Sequence, residues 1–442
     1  MELTKLIETM RNAGIAGAGG AGFPAYAKLN AAADTVILNC AECEPLFKLH
    51  RQVLARYAEE ILSALTEIAD SLCASQAIVA VKPAYKEAVE ALNTLAPKFK
   101  KVKISYLPEI YPAGDEVITV YETTGRVIKP GALPISVGCV VFNVETVYNF
   151  YRAWKHGEVV THKFITVAGE VKNPCTLRVP LGITYGELIR LAGGATCEDF
   201  ALIAGGPMTG RLTVTGDVVT KTSNAVLVMP KNAYIVQKRL TPITISAKRA
   251  MAACCQCRMC TDLCSRNLLG QPIEPHKIMR AVASGVSSDI SAFMGSFSCS
   301  SCGLCEMFSC GQGLNPRSII GEVKRTLIAS GVSAPKGLDG KGVDSAIEYR
   351  QVPMSRLVSR MGLKKYDIPA PLVDVNIEPA SIKLMLAQGI GAPAKAVVAK
   401  GDAVSAGQLI GAFDEKKLGI PLHAPYGGRV AEVTDSYVVL EK

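Results

Sequence analysis

The stretch Cys254-Cys-Gln-Cys257-Arg-Met-Cys260-Thr-Asp-Leu-Cys264 is answered by Cys299-Ser-Ser-Cys302-Gly-Leu-Cys305-Glu-Met-Phe-Ser-Cys310. Together they hold nine of the fifteen cysteines. Thiolates spaced x2, x2 reach three corners of one iron–sulfur cube, and the fourth cysteine usually crosses to complete the other. The spacing therefore predicts two 4Fe–4S clusters and one-electron transfer. One cluster pairs Cys254, Cys257 and Cys260 with Cys310, and the other pairs Cys264 with Cys299, Cys302 and Cys305. A disulfide framework would need an oxidising compartment and usually a short secreted chain. Structural zinc favours two separated Cys-x-x-Cys pairs, which leaves the third cysteine of each run surplus. Cys255 is either an outer thiol or a register alternative to Cys254.

Both runs lack the proline that often follows the last cysteine, having Ser265 and Gly311 instead, and the second run carries one extra spacer residue. Helical patterns over Ile245–Ala253, Pro275–Ser284 and Pro316–Ser330 surround the runs. They point to a helical two-cluster ferredoxin module over 245–330.

At 442 residues the chain has room for about three or four domains of about 100–200 residues each. It is 49% hydrophobic and 20% charged, with net charge +9. No apolar run approaches the roughly 18 residues that cross a bilayer. The expectation is a cytoplasmic protein with no direct membrane insertion. No basic block with interleaved aromatics suggests nucleic acid.

The overall pattern is multi-domain α/β. A helix over 3–12 precedes the glycine loop Gly17-Ala-Gly19-Gly20-Ala-Gly22-Phe23-Pro24. Strand 35–38, helix 53–69, strand 77–82 and helix 84–94 then alternate, which suggests a largely parallel sheet in an α/β domain over 1–160. Short strands with one helix, Thr184–Leu191, read as a β-grasp domain over 161–240. A connector with weak pattern covers 331–378. Residues 379–442 are short strands and turns, a barrel-sandwich β domain of the lipoyl kind, with Asp414-Glu415-Lys416-Lys417 read as a charged turn.

Gly17 to Gly22 satisfies G-x-G-x-x-G, yet a helix precedes it where a dinucleotide fingerprint needs a strand. The loop is either a flexible turn or a backbone that lets N–H groups approach a phosphate, with Lys28 nearby. Asn39, Glu42, Glu44, Asp115, Glu116, Asn143 and Glu145 fall at ends of predicted strands. In α/β sheets, ligands bind at the carboxyl ends of strands.

GAGGAGFP with Lys28, then NCAECEP, YPAGDE and FNVET in order, resemble the flavin-bearing NADH-oxidising module. That module is shared by the complex I flavoprotein subunit and the C subunit of Rnf electron-transport complexes. The resemblance implies that Gly17, Gly19, Gly20, Gly22, Lys28, Asn39, Asp115 and Asn143 surround FMN. It also implies that Phe23, Glu44 and Glu116 meet the nicotinamide nucleotide, with Glu42 in the same cofactor-binding set. Ala18, Ala41, Asp115 and Phe142 depart from the complex I pattern, and AECEP is closer to the Rnf type. The two-cluster spacing is also of the Rnf type. In Rnf C subunits, however, the sandwich segment leads the chain, whereas here it closes it. That order is similar to the corrinoid (cobalamin) reductase family of propanediol-utilisation microcompartments.

The resemblance implies an NADH-dependent cobalamin reductase. A flavin would accept a hydride and two clusters would pass electrons singly to cob(III)alamin and cob(II)alamin, with no side-chain acid or base. The implied partners are the corrinoid, a cobalamin adenosyltransferase and a microcompartment shell protein. Two other readings stay open: an Rnf-like subunit feeding a membrane complex, and an iron–sulfur conduit without catalysis of its own.

Overall fold

A computed structural model describes residues 1–285, 288–375 and 377–442. It is a multi-domain α/β molecule in which the described residues form a four-stranded and a six-stranded principal sheet, a two-stranded pair, and the four- and three-stranded sheets of the carboxy-terminal domain. The first sheet is parallel, in the order Val102–Tyr106, Gln76–Val81, Thr35–Asn39, Cys139–Asn143. Every residue of the Thr35-Val-Ile-Leu-Asn39 strand is buried, as a central parallel strand covered on both faces requires. Val36 and Leu38 enter one apolar core and Ile37 the opposite one. In this register Asn39 stands beside Asn143 at the carboxyl edge.

The helix expected over 53–69 is two helices, Leu49–Arg56 and Ala58–Ser71. They break at Tyr57, whose backbone leaves the helical region (φ −121°, ψ 35°). Its ring packs 4.5 Å from that of Tyr148 and 6.3 Å from Phe164. That packing ties the break to the aromatic core.

The β-grasp sheet pairs Ala225–Pro230 in parallel with His162–Gly169. Its helix Tyr185–Leu191 starts at a capping box formed by Thr184 and Glu187, which satisfies two orphan helix-end donors. The cluster module is helical, with Ile243–Ala253, Pro275–Ala283 and Pro316–Ala329 around one small core. Proline opens two of these helices, where its missing N–H costs nothing.

Residues 331–378 are tied into the fold more closely than their pattern suggests. Val352–Pro353 pairs with Ile110–Tyr111, Leu372–Val373 adds an edge strand to the β-grasp sheet, and Leu357, Val358, Met361 and Leu363 are buried. The carboxy-terminal sandwich is not a separate bead either: Ile382, Leu384 and Leu440 share one core with Ile165, Val167 and Leu177 of the β-grasp sheet. At its tip, Asp414 accepts the Lys416 amide at 3.0 Å, making the charged turn. Among the described residues no helix is long and apolar enough to cross a membrane.

Candidate redox site: a glycine-lined cavity and two cysteine groups

A cavity of about 420 Å³ opens at the carboxyl edge of the parallel sheet. Gly17, Gly19, Gly20, Gly22 and Phe23 line it from the loop; Asn39, Asn143, Lys28 and Glu116 line it from the sheet side. The loop is closed by Gly17 N donating to Phe23 O at 2.8 Å and by Ala18 N donating to Thr146 Oγ1 at 3.0 Å. A Cβ at Gly19 would stand 2.3 Å from Asn143 Nδ2, whereas one at Gly20 would meet nothing within 4 Å. Gly19 thus allows close packing and Gly20 faces free space.

Lys28 Nζ donates to Glu116 Oε1 and to Val141 O, both at 3.0 Å. Asn39 Nδ2 donates to Gly114 O at 2.9 Å. Asn143 is the N-cap residue of Val144–His156, yet its side chain makes no cap bond. Leu133, Ile135 and Val140 supply the apolar wall. A cavity of this size, mostly apolar with a few fixed polar groups, fits a small-molecule cofactor. The open cradle at Gly20 suits a flavin with its phosphate near the loop amides.

Ile390, from the carboxy-terminal sandwich, also lines the cavity, and its N–H donates to Ala21 O at 2.9 Å. Gly22 (φ +75°) has no room for a Cβ, which would lie 2.5 Å from Thr222 Cγ2 and 2.8 Å from Gly389 Cα. Beside it, buried Lys221 donates to Gly14 O at 2.7 Å and Pro421 O at 2.9 Å. Three modules therefore clamp the glycine loop. Sequence reasoning missed Ile390 and Lys221, which come from other domains.

The structure does not bring Glu42, Glu44 or Asp115 to the cavity lining. Glu42 pairs with Arg51 at 2.6 Å and accepts the His50 amide at 2.8 Å, with the Arg51 guanidinium lying 3.8 Å over the Tyr85 ring. Glu44 reaches the β-grasp domain, accepting Met208 N at 2.8 Å, Thr209 N at 2.7 Å and the Thr209 hydroxyl. A Cβ at Gly206 would collide with Glu44 Oε2; the Gly205-Gly206-Pro207 loop is shaped to receive this carboxylate. Asp115 caps helix Glu116–Thr124 through Val117 N at 3.0 Å. It also takes Arg266 Nε at 3.1 Å and Nη2 at 2.9 Å. Cys40 and Cys43 face different partners, the Leu38 carbonyl and the Gly114 amide.

The two cysteine runs share one backbone conformation. Left-handed residues recur at equivalent places: Gln256 (φ +55°) and Arg258 (+65°) in the first, Ser301 (+57°) and Gly303 (+81°) in the second. Such turns curl N–H groups into an anion-binding concavity. Ser301 N donates to Cys299 Sγ at 3.3 Å and Leu314 N to Cys310 Sγ at 3.4 Å.

Cys254, Cys257, Cys260 and Cys310 line one cavity of about 410 Å³. Burial pushes the Cys260 thiol up to about 12, with the charges of Cys310, Cys254 and Cys257 adding to it. Burial, then the Cys302 charge, pushes Cys264 up to about 12, and Cys299 adds to it. Cys305 is raised by burial, then by Cys299 and Cys302, with Cys264 further down. The fourth cysteine of each run thus lies in the electrostatic field of the other run's cysteines. The extra spacer residue is absorbed as a single π turn, Cys305–Ser309, a common form of one-residue insertion at functional sites. Gln256 Nε2 donates to Cys254 Sγ at 3.1 Å, while Cys255 is exposed.

The segment beside the cavity is linked to the Cys302 group by hydrogen bonds. Tyr111 donates its hydroxyl to Cys302 O. The Asp115–Arg266 pair links the cavity segment Gly114–Glu116 to the residue two past Cys264. Cys43 and Cys302 pack against the same apolar cluster. Tyr111 and Arg266 escaped the sequence reading because neither is a ligand type.

Four families match along the chain. They are a Nuo51 FMN-binding domain over 10–152, an SLBB domain over 164–212, a 4Fe-4S dicluster domain over 253–315 and an RnfC barrel sandwich hybrid domain over 364–442. The chain is 39% identical to cobalamin reductase PduS of Citrobacter freundii over 434 residues, covering 98% of this chain and 95% of that one. It is 38% identical to cobalamin reductase PduS of Salmonella typhimurium, with the same coverage. A more distant relative is the C subunit of the Na(+)-translocating ferredoxin:NAD(+) oxidoreductase complex of Acetobacterium woodii. It is 29% identical over 279 residues, covering 62% of this chain and 60% of that one.

Proposed function

The chain belongs to the cobalamin reductase PduS family, and from that premise we propose that it is an NADH-dependent oxidoreductase reducing a corrinoid by single electrons. The overall balance is one NADH and two cob(III)alamin giving NAD+, a proton and two cob(II)alamin; a second round takes cob(II)alamin to cob(I)alamin. The product supports coenzyme B12 recycling, with a cobalamin adenosyltransferase as consumer and a microcompartment shell as the proposed location. The donor assignment draws on the NAD(+) in the name of the Acetobacterium relative. The same reading divides the chain into functional units at 1–160, 161–240, 245–330, 331–378 and 379–442.

One observation carries the proposal: hydrogen-bonded residues run from the segment beside the glycine-lined cavity to the Cys264 and Cys302 group. FMN, when bound, exchanges two electrons with a nicotinamide and single electrons with 4Fe–4S clusters, chemistry that side chains lack. Gly17 closes the loop, and Gly19, Gly20 and Gly22 keep it free of side chains. Lys28, fixed by Glu116 and Val141 O, holds a positive charge at the cavity. Asn39 and Asn143 offer amides, and Phe23 an aromatic surface for the nicotinamide side. Cys264, Cys299, Cys302 and Cys305 would hold the cluster nearer the cavity, because Tyr111 and Asp115 reach their group. Cys254, Cys257, Cys260 and Cys310 would hold the outer one, where Cys257 and neighbouring Cys255 are exposed.

The test is anaerobic. NADH is added to protein reconstituted with FMN, iron and sulfide in the presence of hydroxocobalamin, and visible spectra are recorded. Cob(II)alamin bands are expected. Bleaching of the flavin without those bands would overturn the corrinoid assignment, and no bleaching at all would overturn the donor.

A further inference from the structure

We infer that Lys238 is a positioning residue that raises the reduction potential at the Cys254, Cys257, Cys260 and Cys310 group. The inference rests on the cluster reading above and adds a residue outside both cysteine runs.

Lys238 lies on the short helix Tyr234–Leu240 that follows the β-grasp strand Ala225–Pro230. It is 6% exposed. Its Nζ donates to Gly313 O at 2.5 Å, Leu314 O at 3.0 Å and Asn315 Oδ1 at 2.9 Å. Asn315 is 1% exposed and returns a bond from Nδ2 to Lys238 O at 3.4 Å. All three donors of the ammonium are therefore used, and all three acceptors are neutral. Hydrogen bonding satisfies its protons but not its charge, and a buried charge needs a counter-charge.

The segment it grips is the one that presents Cys310. Leu314 N donates to Cys310 Sγ, and Gly313 N donates to Cys310 O at 3.1 Å. Burial pushes the Lys238 ammonium down from its ordinary range; Glu306 and, less strongly, Cys310 oppose that, while Arg249 and Arg360 add to it. Glu306 is itself held by Ser318, through the amide at 2.9 Å and the hydroxyl at 3.0 Å. Glu306 and, once held as a thiolate in a cluster, Cys310 both supply counter-charge to the ammonium. Four thiolates with a 4Fe–4S core are anionic, and more so after taking an electron. A fixed cation behind Cys310 stabilises the reduced form more than the oxidised one.

The test uses full-length protein with both clusters reconstituted, titrated anaerobically and followed by electron paramagnetic resonance. The signal perturbed by Cys257→Ser marks the cluster concerned. Lys238→Met is expected to lower the midpoint of that cluster alone, at unchanged iron and sulfide content. Lys238→Arg is expected to restore it. Asn315→Asp, which keeps an acceptor on Nζ while neutralising its charge, is expected to lower the same midpoint and decides the matter if Lys238→Met loses iron. Unchanged midpoints in Asn315→Asp, or equal shifts at both clusters, would overturn the inference. If Cys257→Ser perturbs no signal, the cluster reading fails instead.

Discussion

Replacing Glu44 separates two roles for one carboxylate: a nicotinamide contact, as the family resemblance implies, or a strut between domains, as the geometry shows. Its oxygens take two amides, Met208 N and Thr209 N, and the Thr209 hydroxyl. In Glu44→Ala the hydroxyl can turn to water, but two amides lose a charged acceptor at about 1–3 kcal/mol each. Burial raises the Glu44 carboxyl above its ordinary pKa, so removing it returns part of that cost. The net loss is about 2–4 kcal/mol, confined to the contact between the flavin domain and the β-grasp domain. At about 1.4 kcal/mol per tenfold, the Met208 and Thr209 amides should exchange hydrogen roughly 30- to 1,000-fold faster. Glu44→Gln keeps one acceptor and should show a smaller rise, with KM for NADH unchanged. A raised KM in Glu44→Gln, with exchange at Met208 and Thr209 as in the unmodified protein, would refute the strut and restore the nicotinamide role.

Two further outcomes are expected. Gly19→Ala forces a methyl to within 2.3 Å of Asn143 Nδ2; an overpacking cost of about 1–3 kcal/mol should weaken FMN binding by roughly 5- to 150-fold in a fluorescence titration. Glu170 accepts Lys365 Nζ at 2.8 Å, Tyr366 Oη at 2.6 Å and the Thr196 hydroxyl at 2.8 Å. The bonds from Lys365, Tyr366 and Thr196, in that order, hold its carboxyl at about 2. A depressed carboxyl stabilises the folded state above its unfolded pKa, about 4.3, and loses that contribution as pH falls toward about 2. Limited proteolysis should therefore release the 354–366 segment in acid, and Glu170→Gln should release it at neutral pH and abolish the acid step.

The parallel sheet was legible because Val36–Leu38, Ala77–Val81 and Cys139–Phe142 are unbroken apolar runs, the signature of strands covered on both faces. Asn39 and Asn143 read as strand-end residues, and the family resemblance placed both around the flavin. Glu42, Glu44 and Asp115 stand at similar strand ends and read alike in sequence. Their destinations differ because Arg51, the 206–209 loop and Arg266 reach them, and for Glu44 and Asp115 those contacts span more than 150 residues. The extra residue after Cys305 could be counted but not placed, since a π turn has no residue signature of its own. The segment 331–378 looked loose because its strands are two residues long; its order comes from edges supplied by other domains.

On the proposed function, electrons leave the flavin cavity through the Cys302 group and then the Cys254 group. Freeze-quench electron paramagnetic resonance of NADH-treated reconstituted protein tests it directly, with Cys302→Ser and Cys257→Ser beside the unmodified chain. In Cys257→Ser the remaining cluster should still be reduced at the unmodified rate while cob(II)alamin formation stops. In Cys302→Ser neither cluster nor corrinoid should be reduced at that rate, although the flavin bleaches. Reduction of the Cys254 group at full rate in Cys302→Ser would rule out that path.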